Sequence, residues 1–226
     1  MSLGKHIPNY ITLGNLFAGS VAVIFAVEGD FKTAAIFVLI GIIFDFFDGF
    51  TARLMGVTGE LGKQLDSLAD MVTSGVVPGV VMFKLIQSNL IADNLLEVKA
   101  NQILDVPLIG LILTMAACLR LARFNLDTRQ TDSFIGLPTP AMSLFVISLP
   151  LIQMNTDIVF VKDLISNNYF LIALTWVLSF LMNAEMPLFS LKFKEYSLKN
   201  NYIKYFFLLA SVLLLVTLNF LAVPLI

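Results

Sequence analysis

Charge is scarce in this chain. Only 13% of its 226 residues are Asp, Glu, Lys or Arg, against roughly 25% in an average soluble domain. A sequence so poor in solvated groups, and 58% apolar, does not make an ordinary water-soluble fold. Cysteine is rarer still: Cys118 stands alone, which excludes a disulfide framework within one chain and leaves it the reading of a small packing residue. There is no basic excess, the net charge being −2, and this argues against nucleic acid as a partner. No internal repeat or low-complexity segment is visible, and no polar stretch is long enough for a separate soluble domain. One domain over 1–226 is therefore expected.

What the chain does have is apolar runs. They lie near 11–27, 33–54, 64–88, 106–123, 138–154, 168–185 and 203–223, each close to the ~20 residues that carry a helix across a bilayer. An all-α integral membrane fold follows, because only helices satisfy their own backbone groups over such lengths in lipid. With the N-terminus in the cytoplasm, Lys5, Arg53, Lys63, Arg120, Arg123, Arg129, Lys192, Lys194, Lys199 and Lys204 fall inside, and only Lys32, Lys99 and Lys162 outside. That asymmetry fits the positive-inside rule and predicts a multi-pass protein of the inner (cytoplasmic) membrane. Lys84 lies near the outer end of the third run, where its long side chain can snorkel. Lys5 and His6 ahead of the first run give it the outline of a secretory signal, but the runs that follow favour a retained first helix. Pro78 and Gly79 predict a kink in the third span.

One stretch does not suit a purely structural helix. Asp45 and Asp48 are three apart at the inner end of the second run, and Asp66 and Asp70 are four apart at the start of the third. Each pair shares one helix face, and a short Gly-rich turn joins the two helices. Antiparallel packing brings both faces together, and four carboxylates in so small a space repel unless cations are present. An all-oxygen site with no His or Cys nearby suits Mg²⁺ or Mn²⁺, and four ligands suffice for two ions of the kind that assist in-line phosphoryl or phosphodiester transfer. The alternatives are structural ion pairs, an ion pathway or a transporter site. Gly49 and Ala52 would let a flat base or a pyrophosphate approach the backbone closely. Arg53 offers a fork for phosphate oxygens, or else an interfacial anchor.

Asp45, Asp48, Gly49, Ala52, Arg53, Gly62, Asp66 and Asp70 fill every fixed position of D-x2-D-G-x2-A-R-x8-G-x3-D-x3-D, and the chain thereby resembles the CDP-alcohol phosphotransferase family. The resemblance implies a six-helix core, here with about one additional C-terminal transmembrane helix, usually dimeric, with the site open to the cytoplasm and to lipid. It implies that Asp45, Asp48, Asp66 and Asp70 are metal ligands and that Asp70 is also the catalytic base. Gly49, Ala52, Arg53 and Gly62 look like parts of the CDP pocket. The stretch Pro8 to Asn15 is similar to the family's first-helix start, with Asn9 and Thr12 placed to bond the nucleotide of a CDP-diacylglycerol donor.

Leu119 to Asn125 and Phe134 to Pro140 resemble the phosphatidylserine synthase branch, which implies L-serine as acceptor and phosphatidylserine and CMP as products. Arg120 and Arg123, three apart, could clamp a serine carboxylate with Asn125 nearby; their other role is topological anchoring. Inositol phosphate, glycerol 3-phosphate and choline are the rival acceptors. Asn183 and the basic Lys192, Lys194 and Lys199 suit an inner-leaflet anchor.

Overall fold

The computed structural model describes residues 6–57, 59–92, 106–126, 134–188 and 201–226. Lys5, Lys99, Arg129, Lys192, Lys194 and Lys199, and residues 93–105 and 127–133, lie outside the described residues. The order is α1 (Ile7–Glu28), α2 (Phe31–Met55), α3 (Glu60–Asp70), a π-helical stretch (Met71–Val76), α4 (Val77–Ala92), a 3₁₀ turn (Pro107–Leu111) and α5 (Ile112–Leu126). Then come β1 (Phe134–Ile135), α6 (Thr139–Asn155), α7 (Val159–Ser166), α8 (Asn168–Asn183), β2 (Pro187–Leu188), α9 (Tyr202–Leu218) and a 3₁₀ turn (Asn219–Leu225). β1 and β2 form a two-residue antiparallel pair, Phe134 opposite Leu188 and Ile135 opposite Pro187.

All seven apolar runs are helical. Among the described residues five are long and apolar enough to cross a membrane, up to six if the pair α7 and α8, bent by 75°, counts as one span; α6 is a shorter apolar helix. The chain is thus an all-α, multi-pass membrane protein. Its third span, Glu60–Ala92, is 61% buried over its most apolar window, against 33% for α1 and 28% for α2. That contrast makes α3 and α4 the axis of the bundle and leaves α1 and α2 an outward face for lipid. Val77, Val81, Met82, Leu85 and Ile86 of α4 are all but fully buried, as are Met142 and Val146 of α6. Among the described residues α9 buries none of its own, and the 3₁₀ turn that follows it packs on α6.

Small side chains let α1 and α2 pack closely. Ala18, Ala22 and Ala26 of α1 and Ala34, Ala35 and Val38 of α2 are buried, and the two helices pack on each other, the kind of seam on which helices associate where lipid removes most hydrophobic drive. Asp30 caps α2 by accepting from the Thr33 amide at 3.0 Å, and the Thr33 side chain first, with that amide second, holds its carboxyl below the usual range.

Pro78 perturbs the third span one turn earlier than a simple kink would. The Val77 amide bonds the Val72 carbonyl, five residues back, so in that register the proline's missing N–H leaves the Thr73 carbonyl free. Ser143 Oγ approaches that carbonyl at 3.5 Å, and Thr114 Oγ1 donates to the Gly75 carbonyl at 3.0 Å. A widened turn and lateral hydroxyls thus take over the lost ladder bond, and Glu60–Ala92 runs on as one span.

Candidate active site

The site lies where α2 ends and α3 begins. α2 stops at Gly56, whose left-handed backbone (φ 62°) lets the Gly56 and Val57 amides bond the Arg53 and Ala52 carbonyls. The chain then reverses, and α3 starts after Gly59. This reversal sets the faces of the two helices against each other: one carboxylate oxygen from each of Asp45, Asp48 and Asp66 lies within 4.8 Å of the others. Asp70 lies outside that trio, one turn further along α3, where its Oδ1 accepts from Asn15 Nδ2 at 3.2 Å.

α1 closes the site from the side. Thr12, 3% exposed, donates to Asp48 Oδ2 at 2.5 Å, with the Pro8 carbonyl 3.1 Å from the same hydroxyl. Beside the three carboxylates opens a cavity of about 340 Å³, to which Asn9, Thr12, Gly49, Ala52, Gly62 and Lys63 contribute walls. A Cβ built on Gly49 would meet nothing within 4 Å, and one on Gly62 only Asn9 Oδ1, at 3.4 Å. The glycines therefore keep a broad, flat wall on the cavity.

Arg53 is exposed and is not part of the cavity wall. Lys63 takes the place beside the carboxylates, and its Nζ donates to the Asn125 carbonyl at 2.6 Å. Asn125 also donates from Nδ2 to Ser67 Oγ at 2.8 Å, which ties the end of α5 to α3 next to Asp66. Arg120 and Arg123 part company: Arg123 is exposed, whereas Arg120 is 7% exposed. The Arg120 guanidinium lies close enough to Asp70 for their charges to attract. Its Nη1 donates to Thr139 Oγ1 at 3.4 Å, its carbon sits 5.9 Å from the Phe124 ring centre, and its Nε has no partner among the described residues.

Asn15, Thr73, Thr139 and Lys63 are contributors that motif reading passed over. Asn15 closes the Pro8 to Asn15 stretch three residues after Thr12, so the helix period alone could have placed it on the same face. Thr73 follows Asp70 at the same interval.

The donor set fits a hard divalent cation: the trio offers only carboxylate oxygens, and the sole histidine, His6, is exposed at the start of α1. Excess negative charge in a partly buried setting gives such an ion its electrostatic reason to bind.

A family model described as CDP-alcohol phosphatidyltransferase matches residues 5–182. The chain is similar to CDP-diacylglycerol–serine O-phosphatidyltransferase of Bacillus subtilis (strain 168), 31% identical over 149 residues, which cover 64% of this chain and 75% of that protein. The enzyme of the same name in Helicobacter pylori strain J99 is 31% identical over 142 residues, 62% of this chain and 55% of that one. Archaetidylserine synthase of Methanothermobacter thermautotrophicus is 29% identical over 145 residues, 63% of this chain and 56% of that protein. The match thus spans little more than half the length of the last two.

Proposed function

The chain belongs to the CDP-alcohol phosphatidyltransferase family, and from that membership we propose that it transfers the phosphatidyl group of CDP-diacylglycerol to L-serine, giving phosphatidylserine and CMP. The observation that carries this reading is the meeting of Asp45, Asp48 and Asp66 beside the 340 Å³ cavity. The names of the relatives support serine as the acceptor.

Asp45, Asp48 and Asp66, with Asp70, would hold Mg²⁺ or Mn²⁺, two ions in all. Bound there, the cations would offset charge on the pyrophosphate and polarise its phosphorus. The residues of the chain do the rest. The wall of Asn9, Thr12, Gly49, Ala52 and Gly62 receives the cytidine nucleotide, with Lys63 supplying positive charge for phosphate oxygens, while Arg53, outside the wall, keeps the reading of an interfacial anchor. Arg120, whose buried Nε has no partner among the described residues, receives the serine carboxylate, and Arg123 and Asn125 border the same end of α5. Asp70 takes the proton from the serine hydroxyl as its oxygen bonds to the phosphorus that bears diacylglycerol. The bond from that phosphorus to the CMP oxygen breaks, and the electron pair leaves with CMP. A carboxylate near metal is a weak base, so the rate depends on how well Asp70 and serine are placed.

We place the site at the cytoplasmic face of the inner membrane and the chain as one domain over 1–226, working as a homodimer. The test is CMP release by purified protein from CDP-diacylglycerol, with serine, glycerol 3-phosphate, inositol phosphate and choline offered separately and Mg²⁺ or Mn²⁺ supplied or chelated. Metal-dependent release with serine alone is the expected result, and Asp70→Asn should abolish it in a protein that still folds. Equal release without serine would overturn the acceptor assignment. Full turnover in Asp70→Asn would overturn the chemistry.

A further inference from the structure

Asn15 is fully buried on α1, and among the described residues its side-chain hydrogen bonds run to the third span. Nδ2 donates to Asp70 Oδ1 at 3.2 Å, and Oδ1 accepts from Thr73 Oγ1 at 2.7 Å. Thr73, 1% exposed, also reaches the Asn15 backbone carbonyl at 3.2 Å. The amide has only one workable orientation. Asp70 as a carboxylate only accepts, so the nitrogen must face it, and the oxygen is then left for the threonine hydroxyl.

Two glycines keep the space for this arrangement. A Cβ on Gly41 would stand 2.8 Å from Asn15 Oδ1 and 2.8 Å from Thr73 Cγ2. A Cβ on Gly19 would run into Thr73 Oγ1 and stand 3.0 Å from the Thr73 amide nitrogen. α1 and α2 therefore come as near to the third span as glycine permits at the level of this amide. Asp70 is the last residue of α3 and Thr73 lies in the π-helical stretch that follows, so the two groups that Asn15 joins flank the change of helical register. Interlocked polar contacts of this kind are a costly way to fill a core that apolar side chains could fill. What they add is a fixed direction for one carboxylate.

We propose that Asn15, locked by Thr73, is a positioning residue for Asp70: it occupies Oδ1 and turns Oδ2 toward the hydroxyl of the acceptor. The inference rests on Asp70 being the proton acceptor of the transfer reaction. Asn15 touches neither substrate, so its loss should act on turnover and leave substrate binding unchanged. A misplacement of about 1 Å at such a group can cost about 100-fold in rate.

The experiment compares Asn15→Leu, Thr73→Val and Thr73→Ser with the full-length protein, measuring kcat, both KM values and thermal unfolding. Asn15→Leu is expected to lower kcat about 100-fold with both KM values within about twofold. Thr73→Val should lower it about tenfold, and Thr73→Ser, which restores the hydroxyl, should recover most of that loss. Full kcat in both Asn15→Leu and Thr73→Val overturns the proposal. So does a Thr73→Ser enzyme no better than Thr73→Val. If the wild-type protein releases CMP with a different alcohol, the serine assignment fails, and the same comparison made with that alcohol decides the role of Asn15.

Discussion

Thr12 on the first helix donates its hydroxyl proton to Asp48 Oδ2 on the second, at 2.5 Å. The bond takes up one oxygen of a 6% exposed carboxylate that stands within the trio of Asp45, Asp48 and Asp66. Donors that orient a ligand from behind are commonly worth 10–100-fold in metal affinity or activity. Thr12→Val keeps the shape and removes the donor. It should raise the Mn²⁺ concentration needed for half-maximal CMP release by about 10-fold or more, and a titration that overlays the wild type would show that Asp48 needs no such support.

Metal removal should also be felt by the fold. Three carboxylates within 4.8 Å repel one another when nothing lies between them. In chelator the wild type should unfold at a lower temperature than with Mg²⁺ present, and saturation at 100 times Kd corresponds to about 2.7 kcal/mol of added stability. Asp45→Asn removes one member of the trio. In chelator that variant should unfold above the wild type, and with Mg²⁺ the order should reverse. Thermal unfolding of detergent-solubilised protein, four conditions in all, checks both signs.

The helical period explains how much of this site was legible in the sequence. Asp45 with Asp48 and Asp66 with Asp70 are spaced so that each pair must share a face, and the glycine-bounded turn between them dictates an antiparallel return; those two facts direct all four carboxylates to one space, where three of them meet and Asp70 bonds Asn15 instead. The same geometry shows why Arg53 stands apart. Five residues beyond Asp48 it is rotated by about 140° at 100° per residue, while Ala52 is rotated by only about 40° and lines the cavity. Lys63 beside the carboxylates, held by the Asn125 carbonyl of α5, depends on two helices that only the tertiary fold brings together. Arg120 and Arg123 differ by about 60° in direction, enough at the edge of α5 to bury one and expose the other. The kink expected at Pro78 emerged as a π-helical stretch because Thr114 and Ser143, distant in sequence, supply the replacement hydrogen bonds.

Gly136 should prove indispensable for stability. It has φ 72°, and a Cβ there would run into the Met182 carbonyl oxygen and stand 3.1 Å from that of Ala184. The Gly136 amide donates to the Met186 carbonyl at 3.0 Å, and the Leu137 amide to that of Leu181 at 2.9 Å. This turn therefore fastens the start of α6 to the end of α8. Gly136→Ala should cost about 1–3 kcal/mol through backbone strain alone. Gly59→Ala is the control: its backbone is extended (φ −168°) and nothing lies within 4 Å of its Cβ, so its effect should stay within about 0.5 kcal/mol. Comparable melting temperatures for the two variants would contradict this reading.

Arg120 offers the sharpest test of acceptor recognition. Its guanidinium is buried near Asp70, it spends one weak 3.4 Å bond on Thr139, and its Nε is unsatisfied among the described residues. A planar fork with spare donors suits a carboxylate, and lysine at the same place would keep the charge and lose the fork. A hydrogen bond to a charged group contributes about 1.5–3 kcal/mol, so Arg120→Lys should raise the KM for serine by about 10-fold or more while the KM for CDP-diacylglycerol stays put. Ethanolamine, which has the hydroxyl and the amine of serine without its carboxylate, supplies the internal comparison. Poor as that acceptor should be, wild type and Arg120→Lys should use it equally. A variant whose KM rises for the lipid donor instead would place Arg120 on the donor phosphate, and the serine carboxylate would have to be sought nearer Arg123 and Asn125.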